Sequence, residues 1–257
     1  MVHMTIGASA TRPVPDSIVD AGRCAVCGVR GTFDRSEAPI RETCKCRACG
    51  SSLRYRHQAE VLLDLYGGRC RSLAELVEDG SFGALHVYEP GLIGPFRRLL
   101  GSLPGYTNSY YWPDLPPGDV RDGVRCENLQ TLTFADCSFD LVVTSDVFEH
   151  VREPWVAFRE VFRVLRPGGC HVFTVPFSWP LPSESIHRVD TSGPEDVHLM
   201  PPVYHGSPLD PNGSLVYTDF GLDLPDRLRE IGFRSAVHHG YLQSITILST
   251  RPVMDEL

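Results

Sequence analysis

Phe139-Asp140-Leu141-Val142-Val143-Thr144-Ser145-Asp146-Val147-Phe148-Glu149-His150-Val151 is the stretch on which the fold turns. Leu141, Val142 and Val143 form a short apolar run, as a strand buried on both faces requires. The run ends in Thr144, Ser145 and Asp146 and then Glu149-His150, so polar groups collect where the strand stops. Downstream, residues 155–165 place Phe158, Val161, Phe162 and Leu165 on one side of a helix. Arg166-Pro167-Gly168-Gly169 then stops that helix, Pro and Gly being the usual breakers. Residues 170–175 read as the next strand.

The same alternation extends in both directions. Residues 58–66 have helical spacing through Ala59, Leu62, Leu63 and Tyr66. Residues 84–88 read as a strand, followed by Gly91, Gly94 and a helical stretch near 96–100. Residues 219–231 read as a helix stopped by Gly232, and residues 244–249 as a last strand. Strands alternating with helices imply an α/β sheet, mostly parallel. Residues 177–218 break the rhythm. They are rich in Pro, Gly, Ser and His and too long for an ordinary connection, which marks a lid or binding loop. The expected organisation is a flexible arm over 1–20, a cysteine-rich segment over 21–57, and the α/β domain over 58–257 with its insertion at 177–218.

A chain of 257 residues with 42% hydrophobic residues can bury a sizeable core and is not a disordered chain. No apolar run approaches the ~20 residues that cross a bilayer. The net charge is −8, and Lys45 is the lone lysine beside many arginines. An acidic balance argues against a nucleic-acid surface, which needs a basic face. Nine cysteines with no secretory signal at the start read as a reducing, cytoplasmic setting, where clustered cysteines hold metal or stay free.

Cys24-Ala25-Val26-Cys27 and Cys46-Arg47-Ala48-Cys49 are two C-x2-C knuckles. Two thiolates two residues apart can reach one ion, and two knuckles fill a tetrahedral zinc shell. A closed shell leaves no position for activated water, so this zinc is expected to be structural. It would staple a segment too small to bury a core of its own. Cys44 competes with Cys46 for the fourth position, although only Cys46 completes a knuckle with Cys49. Cys70, Cys126, Cys137 and Cys170 are scattered and read as ordinary cysteines. Arg54-Tyr55-Arg56, directly after the knuckles, reads as packing this segment against the main domain and pairing with its acidic surface, or else as touching a phosphate or carboxylate of a substrate.

The stretch from Phe139 to Val151 resembles the fourth motif of class I S-adenosylmethionine-dependent methyltransferases, of the type 11 kind. Phe162-Arg163-Val164-Leu165-Arg166-Pro167-Gly168-Gly169 is similar to that family's helix and turn before strand five. The resemblance covers about 80–250. It implies a Rossmann-like, mostly parallel seven-stranded sheet with an antiparallel strand near 242–249, preceded here by a small zinc ribbon. Ribbons of this kind also precede some methyltransferases that modify ribosomal RNA. The implied cofactor is S-adenosylmethionine, at the carboxyl ends of the strands.

The residues implied to hold the cofactor follow from the same resemblance. Tyr88-Glu89-Pro90-Gly91-Leu92-Ile93-Gly94 stands where the family has its Gly-rich turn, with fewer glycines than usual. After strand two, Tyr111 and Asp114 are the groups available to the ribose. Glu127-Asn128-Leu129 occupies the place beside the adenine. Ser145 and Asp146 end the fourth strand. An acceptor hydroxyl would call for a base, and Asp146, His150, Tyr204 and His205 are the leading candidates, with His187 and His198 in the same insertion.

Three functions follow as alternatives. One is methyl transfer, in biosynthesis, to the O or N of a small molecule such as a sugar, nucleoside or secondary metabolite, without nucleic acid or membrane. A second is an RNA or protein methyltransferase that uses the ribbon as reader, which the arginines of 41–56 would serve. The third is a non-methylating protein that binds the cofactor. The oligomeric state stays open, with a homodimer as one option.

Overall fold

The computed structural model describes residues 21–253 apart from Pro208, and the expected arm at 1–20 lies outside the described residues. Eight strands form the main sheet. In chain order they are β1 (Val87–Pro90), β2 (Tyr106–Tyr110), β3 (Val120–Arg121), β4 (Val124–Cys126), β5 (Phe139–Ser145), β6 (Leu165–Thr174), β7 (Arg234–His239) and β8 (Ile245–Thr250). Their spatial order is β7-β8-β6-β5-β1-β2-β4-β3. β6, β5, β1, β2 and β4 run parallel, β8 runs antiparallel between β6 and β7, and β3 folds back on β4.

The antiparallel strand stands where expected. The count is a correction, eight strands rather than seven, because the edge position holds a hairpin. Asp122 and Gly123 turn it with positive φ, 51° and 76°.

Alternation explains the two-sided burial. Val87, Leu141, Val143 and Val172 join one apolar cluster, while Tyr88, Val142 and Phe173 join the other. Each fully buried Val or Leu contributes about 1.5–3 kcal/mol relative to exposure. Helices α1 (Leu53–Tyr66), α2 (Leu73–Glu78) and α3 (Pro95–Leu100) cover the first face. Helices α4 (Pro154–Val164) and α5 (Leu224–Ile231) cover the second. Helix α1 begins at Leu53, so it runs through the expected boundary at 57 and ties the cysteine-rich segment to the sheet.

The stop after α4 is tighter than a helix end followed by a loop. β6 starts at once at Leu165, and its register against β5 jumps from Phe139↔Leu165 to Leu141↔Cys170. Arg166 to Gly169 therefore bulge opposite Asp140. A Cβ on Gly169 would lie 2.9 Å from the Arg166 carbonyl oxygen and 3.0 Å from that of Asp140. The Arg166 guanidinium caps the bulge on the Asp140 carboxylate at 2.5 Å.

Residues 21–46 form a three-stranded antiparallel sheet of Ala21–Arg23, Arg30–Asp34 and Lys45–Cys46. It does not stand apart. Val26 and Phe33 are buried in the same cluster as Leu62, Leu76 and Phe96. The backbone amides of Leu73 and Ala74, at the start of α2, donate to the carbonyls of Ala25 and Val26 at 2.8 and 3.0 Å.

The insertion at 177–218 holds three short antiparallel ladders. Ile186–His187 pairs with Thr218–Asp219, Val189–Asp190 with Val197–His198, and Tyr204–His205 with Ser214–Leu215. No helix among the described residues is long and apolar enough to cross a membrane.

Candidate active site at the carboxyl edge of the sheet

The parallel strands end on one edge, and the residues following them define the site. After β1, Glu89 is buried and accepts a hydrogen bond from the Tyr106 hydroxyl at 2.8 Å. Burial pushes its carboxyl up to about 7, against the pull of the Tyr106 bond and of Arg97. Gly91 has φ +147°, and an added Cβ there would meet nothing nearer than the Ile93 carbonyl at 4.0 Å, so the backbone is open to close approach by a ligand. Tyr88 points the other way. Its ring is in the second core and its hydroxyl pairs with Ser109 at 2.7 Å.

Between the ends of β2 and β4 lies an open recess of about 320 Å³ lined by Tyr111, Pro113, Asp114, Leu115, Pro116, Pro117 and Asn128. Asp114 is exposed and pairs with Arg121 at 2.8 Å, which holds its carboxyl below the usual range. Glu127 is buried, and its oxygens are engaged by the chain itself. They accept from Arg125 Nε at 2.5 Å, the Thr133 amide at 2.9 Å and the Thr133 hydroxyl at 2.5 Å. Its observed work is to fold the 127–133 loop around the recess. Asn128 lines the recess directly, and Leu129 packs into the second core behind it.

At the end of β5, Ser145 donates to the Gln58 side chain at 2.6 Å. Asp146 has φ +55°, a conformation that costs a non-glycine residue about 1–2 kcal/mol. Its carboxylate meets Arg41 at 2.7 Å and Arg54 at 3.1 Å and accepts from the Thr174 hydroxyl at 2.9 Å. Burial opposes its charge, but Arg54 and Arg41 overcome that and hold the carboxyl below the usual range. An acid so stabilised as its anion is a weak base and serves better as an anchor.

One turn further, Glu149 is fully buried, and neither of its oxygens accepts a hydrogen bond among the described residues. His150 Nε2 lies 3.5 Å and His205 Nδ1 3.6 Å from Glu149 Oε1. The two imidazoles stand perpendicular with centroids 5.1 Å apart. Nearness to Glu149 raises the His205 pKa against the effect of burial. The insertion supplies His205 and is itself fastened here. The Tyr217 amide donates to the Glu149 carbonyl at 2.7 Å, and His150 Nδ1 meets the Leu215 carbonyl at 2.8 Å. Tyr204 is exposed beside His205.

Residues 115–173 match the family described as a methyltransferase domain. The chain is similar to a methyltransferase domain over this stretch. An uncharacterized methyltransferase of Mycobacterium avium is 49% identical over 77 residues, which are 30% of this chain and 30% of that protein. The 24-methylenesterol C-methyltransferase 2 of Oryza sativa is 33% identical over 91 residues, 35% of this chain and 23% of the relative. The chain thus spans less than a third of the length of these curated relatives. Among solved structures, S-adenosylmethionine-bound CalS10, an amino pentose methyltransferase from Micromonospora echinaspora, covers 74% of this chain and 96% of its own at 16% identity and TM-score 0.43.

The carboxyl edge of the sheet thus holds His150, His205 and Tyr204 near the end of β5, and Glu89, Gly91, Tyr111, Asp114 and Asn128 after β1, β2 and β4. Arg41 and Glu149 are not singled out by sequence reading as members of the site, and Arg54 is read chiefly as packing. Glu149 carried a signal, adjacency to His150 in the deciding stretch. Arg54 carried one too, in Arg54-Tyr55-Arg56 after the knuckles, but Arg41 carried none, since pairing across 105 residues leaves no local pattern.

Away from this edge, the thiols of Cys24, Cys27, Cys46 and Cys49 converge within 4.8 Å of one another. Cys24 to Cys49 and Cys27 to Cys46 are both 3.7 Å. Cys44 is not one of these four. It is buried outside the cluster, and its carbonyl accepts from Arg56 at 3.1 Å. Hydrogen bonds from Cys24 and Ser51 draw the Cys49 thiol down to about 4, while the same pairing pushes Cys24 up.

Proposed function

We propose that the chain is an S-adenosylmethionine-dependent methyltransferase acting on an oxygen or nitrogen of a small molecule. The observation that carries this reading is the seal over the carboxyl edge. The 177–218 insertion is bonded to the Glu149-His150 turn and brings its own histidine into the site. A lid built this way suits an acceptor that enters and is shielded from water. The acidic net charge supports the same reading. So does the engagement of the ribbon arginines within the chain: Arg41 with Asp146, Arg47 with Asp34, and Arg54 with Glu42.

The residues fit the cofactor. The recess lies at the lower end of the size range of small-ligand pockets. Tyr111, Asp114 and Asn128 would face its adenosine, and the open backbone at Gly91 with Glu89 would face the amino acid portion. When bound, S-adenosylmethionine supplies a methyl group already activated on sulfur. The chain's own task is alignment of the acceptor with that group, worth several kcal/mol of barrier when geometry is good. The Glu149, His150 and His205 cluster stands on the acceptor side of the edge and would promote loss of the proton from a hydroxyl acceptor. Asp146 stays ionised and fixes the turn that presents this cluster.

We also assign a structural zinc ion to Cys24, Cys27, Cys46 and Cys49. Four thiols that converge from two knuckles are the donor set zinc takes.

Calorimetry on zinc-replete protein tests the cofactor. Micromolar binding of S-adenosylmethionine and S-adenosylhomocysteine is expected, and binding of neither would remove methyl transfer. With labelled cofactor, sugars and nucleosides should accept the methyl. Label found only in RNA or protein would overturn the small-molecule acceptor.

A further inference from the structure

Glu149 poses a problem that the fold does not solve by itself. Among the described residues neither of the Glu149 oxygens accepts a hydrogen bond, and a fully buried carboxyl group left so costs the folded state unless something completes it. The groups aimed at it are two imidazole nitrogens, His150 Nε2 at 3.5 Å and His205 Nδ1 at 3.6 Å. His150 is already committed on its other side, where Nδ1 meets the Leu215 carbonyl at 2.8 Å. A carbonyl only accepts, so Nδ1 carries the proton, and in a neutral ring Nε2 presents a lone pair toward the Glu149 oxygen. Two lone pairs facing each other over that distance attract only with a cation between them.

The separations suit such a cation. An ion about 2.1 Å from each of two ligand atoms in tetrahedral array sets them ~3.4 Å apart. A backbone carbonyl that fixes one ring nitrogen while the other faces the ion is the usual support of a metal-ligating histidine. Asp146 does not join, because Arg41 and Arg54 occupy it. The set is therefore two histidines and one carboxylate, which leaves coordination positions open.

We propose that Glu149, His150 and His205 bind a divalent transition-metal ion whose open positions take an oxygen of the acceptor. This ion is separate from the one held by the four cysteines. It joins the lid to the sheet edge, since His205 comes from the insertion and Glu149-His150 from the turn after β5. Only the clause about the acceptor rests on the methyl-transfer reading.

The test uses the full chain with the cysteine site filled by zinc, titrated separately with Mn2+ and Co2+. Mn2+ is followed by its free-ion paramagnetic resonance signal and Co2+ by visible absorption. Mn2+ discriminates well, because thiolate sites disfavour it. One further equivalent per chain is expected for at least one of the two ions. His205→Asn, a half-exposed position whose folding is checked by circular dichroism, should weaken that binding at least tenfold. Glu149→Gln should do the same, and His198→Asn, in the same insertion, should stay within twofold of wild type. Failure of both ions to bind below ~1 mM would overturn the proposal and leave Glu149 and His205 as an ion pair. Equal affinity in wild type and His205→Asn would overturn it too. Metal binding by a protein that binds no S-adenosylmethionine would sink the methyl-transfer reading and leave this site standing.

Discussion

Asp146 shows how one residue joins distant parts of the chain. Its carboxylate holds two arginines, one of which, Arg54, is itself buried. Removing one partner of such a set leaves charge without compensation, which costs about 3–5 kcal/mol. Asp146→Ala should therefore destabilise the fold by about 3 kcal/mol in urea unfolding at pH 7. The sign with pH follows from the lowered carboxyl. Its contribution is present above the unfolded value of 3.8 and is lost as pH falls through the lower folded value. The gap between wild type and variant should be full at pH 7 and close in acid, and a gap independent of pH would refute the pairing as its source. Sequence reading placed Asp146 in the site from the stretch around it. It could not supply Arg41, because an ion pair across 105 residues leaves no periodicity or spacing to detect.

Among the elements, β6 has the most local constraint. Its first residues bulge opposite Asp140, and Gly169 is enclosed there by two carbonyl oxygens. Gly169→Ala should cost about 2 kcal/mol, since backbone must shift to admit the methyl. A thermal midpoint equal to wild type would show that the bulge yields. Leu165-Arg166-Pro167-Gly168-Gly169 was legible as a stop because Pro and Gly act locally. The continuation of β6 through it was not, because pairing with β5 decides it. The edge hairpin escaped for a simpler reason. Val120–Arg121 and Val124–Cys126 are two and three residues long, too short for an alternating pattern. The two-residue ladders of the insertion are hidden in the same way, although Tyr204 and His205 were already selected within it by residue type.

At the scale of the whole molecule, the cysteine-rich segment behaves as part of the first core. Val26 and Phe33 pack in the cluster that covers the sheet, and Arg56 stacks over Phe33 at 3.3 Å. Stripping zinc, or Cys46→Ser, should loosen that packing. Losing two buried apolar side chains costs about 3 kcal/mol, and each kcal/mol shifts the midpoint by roughly 2–4 °C at this size. The single thermal transition should drop by about 6–12 °C, while Cys44→Ser keeps its zinc by native mass spectrometry. A transition unmoved by chelation would make the segment an independent appendage. The convergence of the four thiols was legible because the cysteines of each knuckle sit at fixed short spacing. Their docking was not, because it depends on faces assembled from the entire chain.

The contact between His57 and Thr246, at 3.1 Å across 189 residues, sets an order of events during synthesis. The cysteine-rich segment leaves the ribosome before the sheet is made, and its four thiols can converge at once. The surface against which α1 then settles is finished only when β8 has inserted beside β6. The cysteine-rich segment must therefore wait, with apolar side chains uncovered, until β8, the last strand among the described residues, is made. Such nonlocal closure slows folding and lengthens exposure to aggregation.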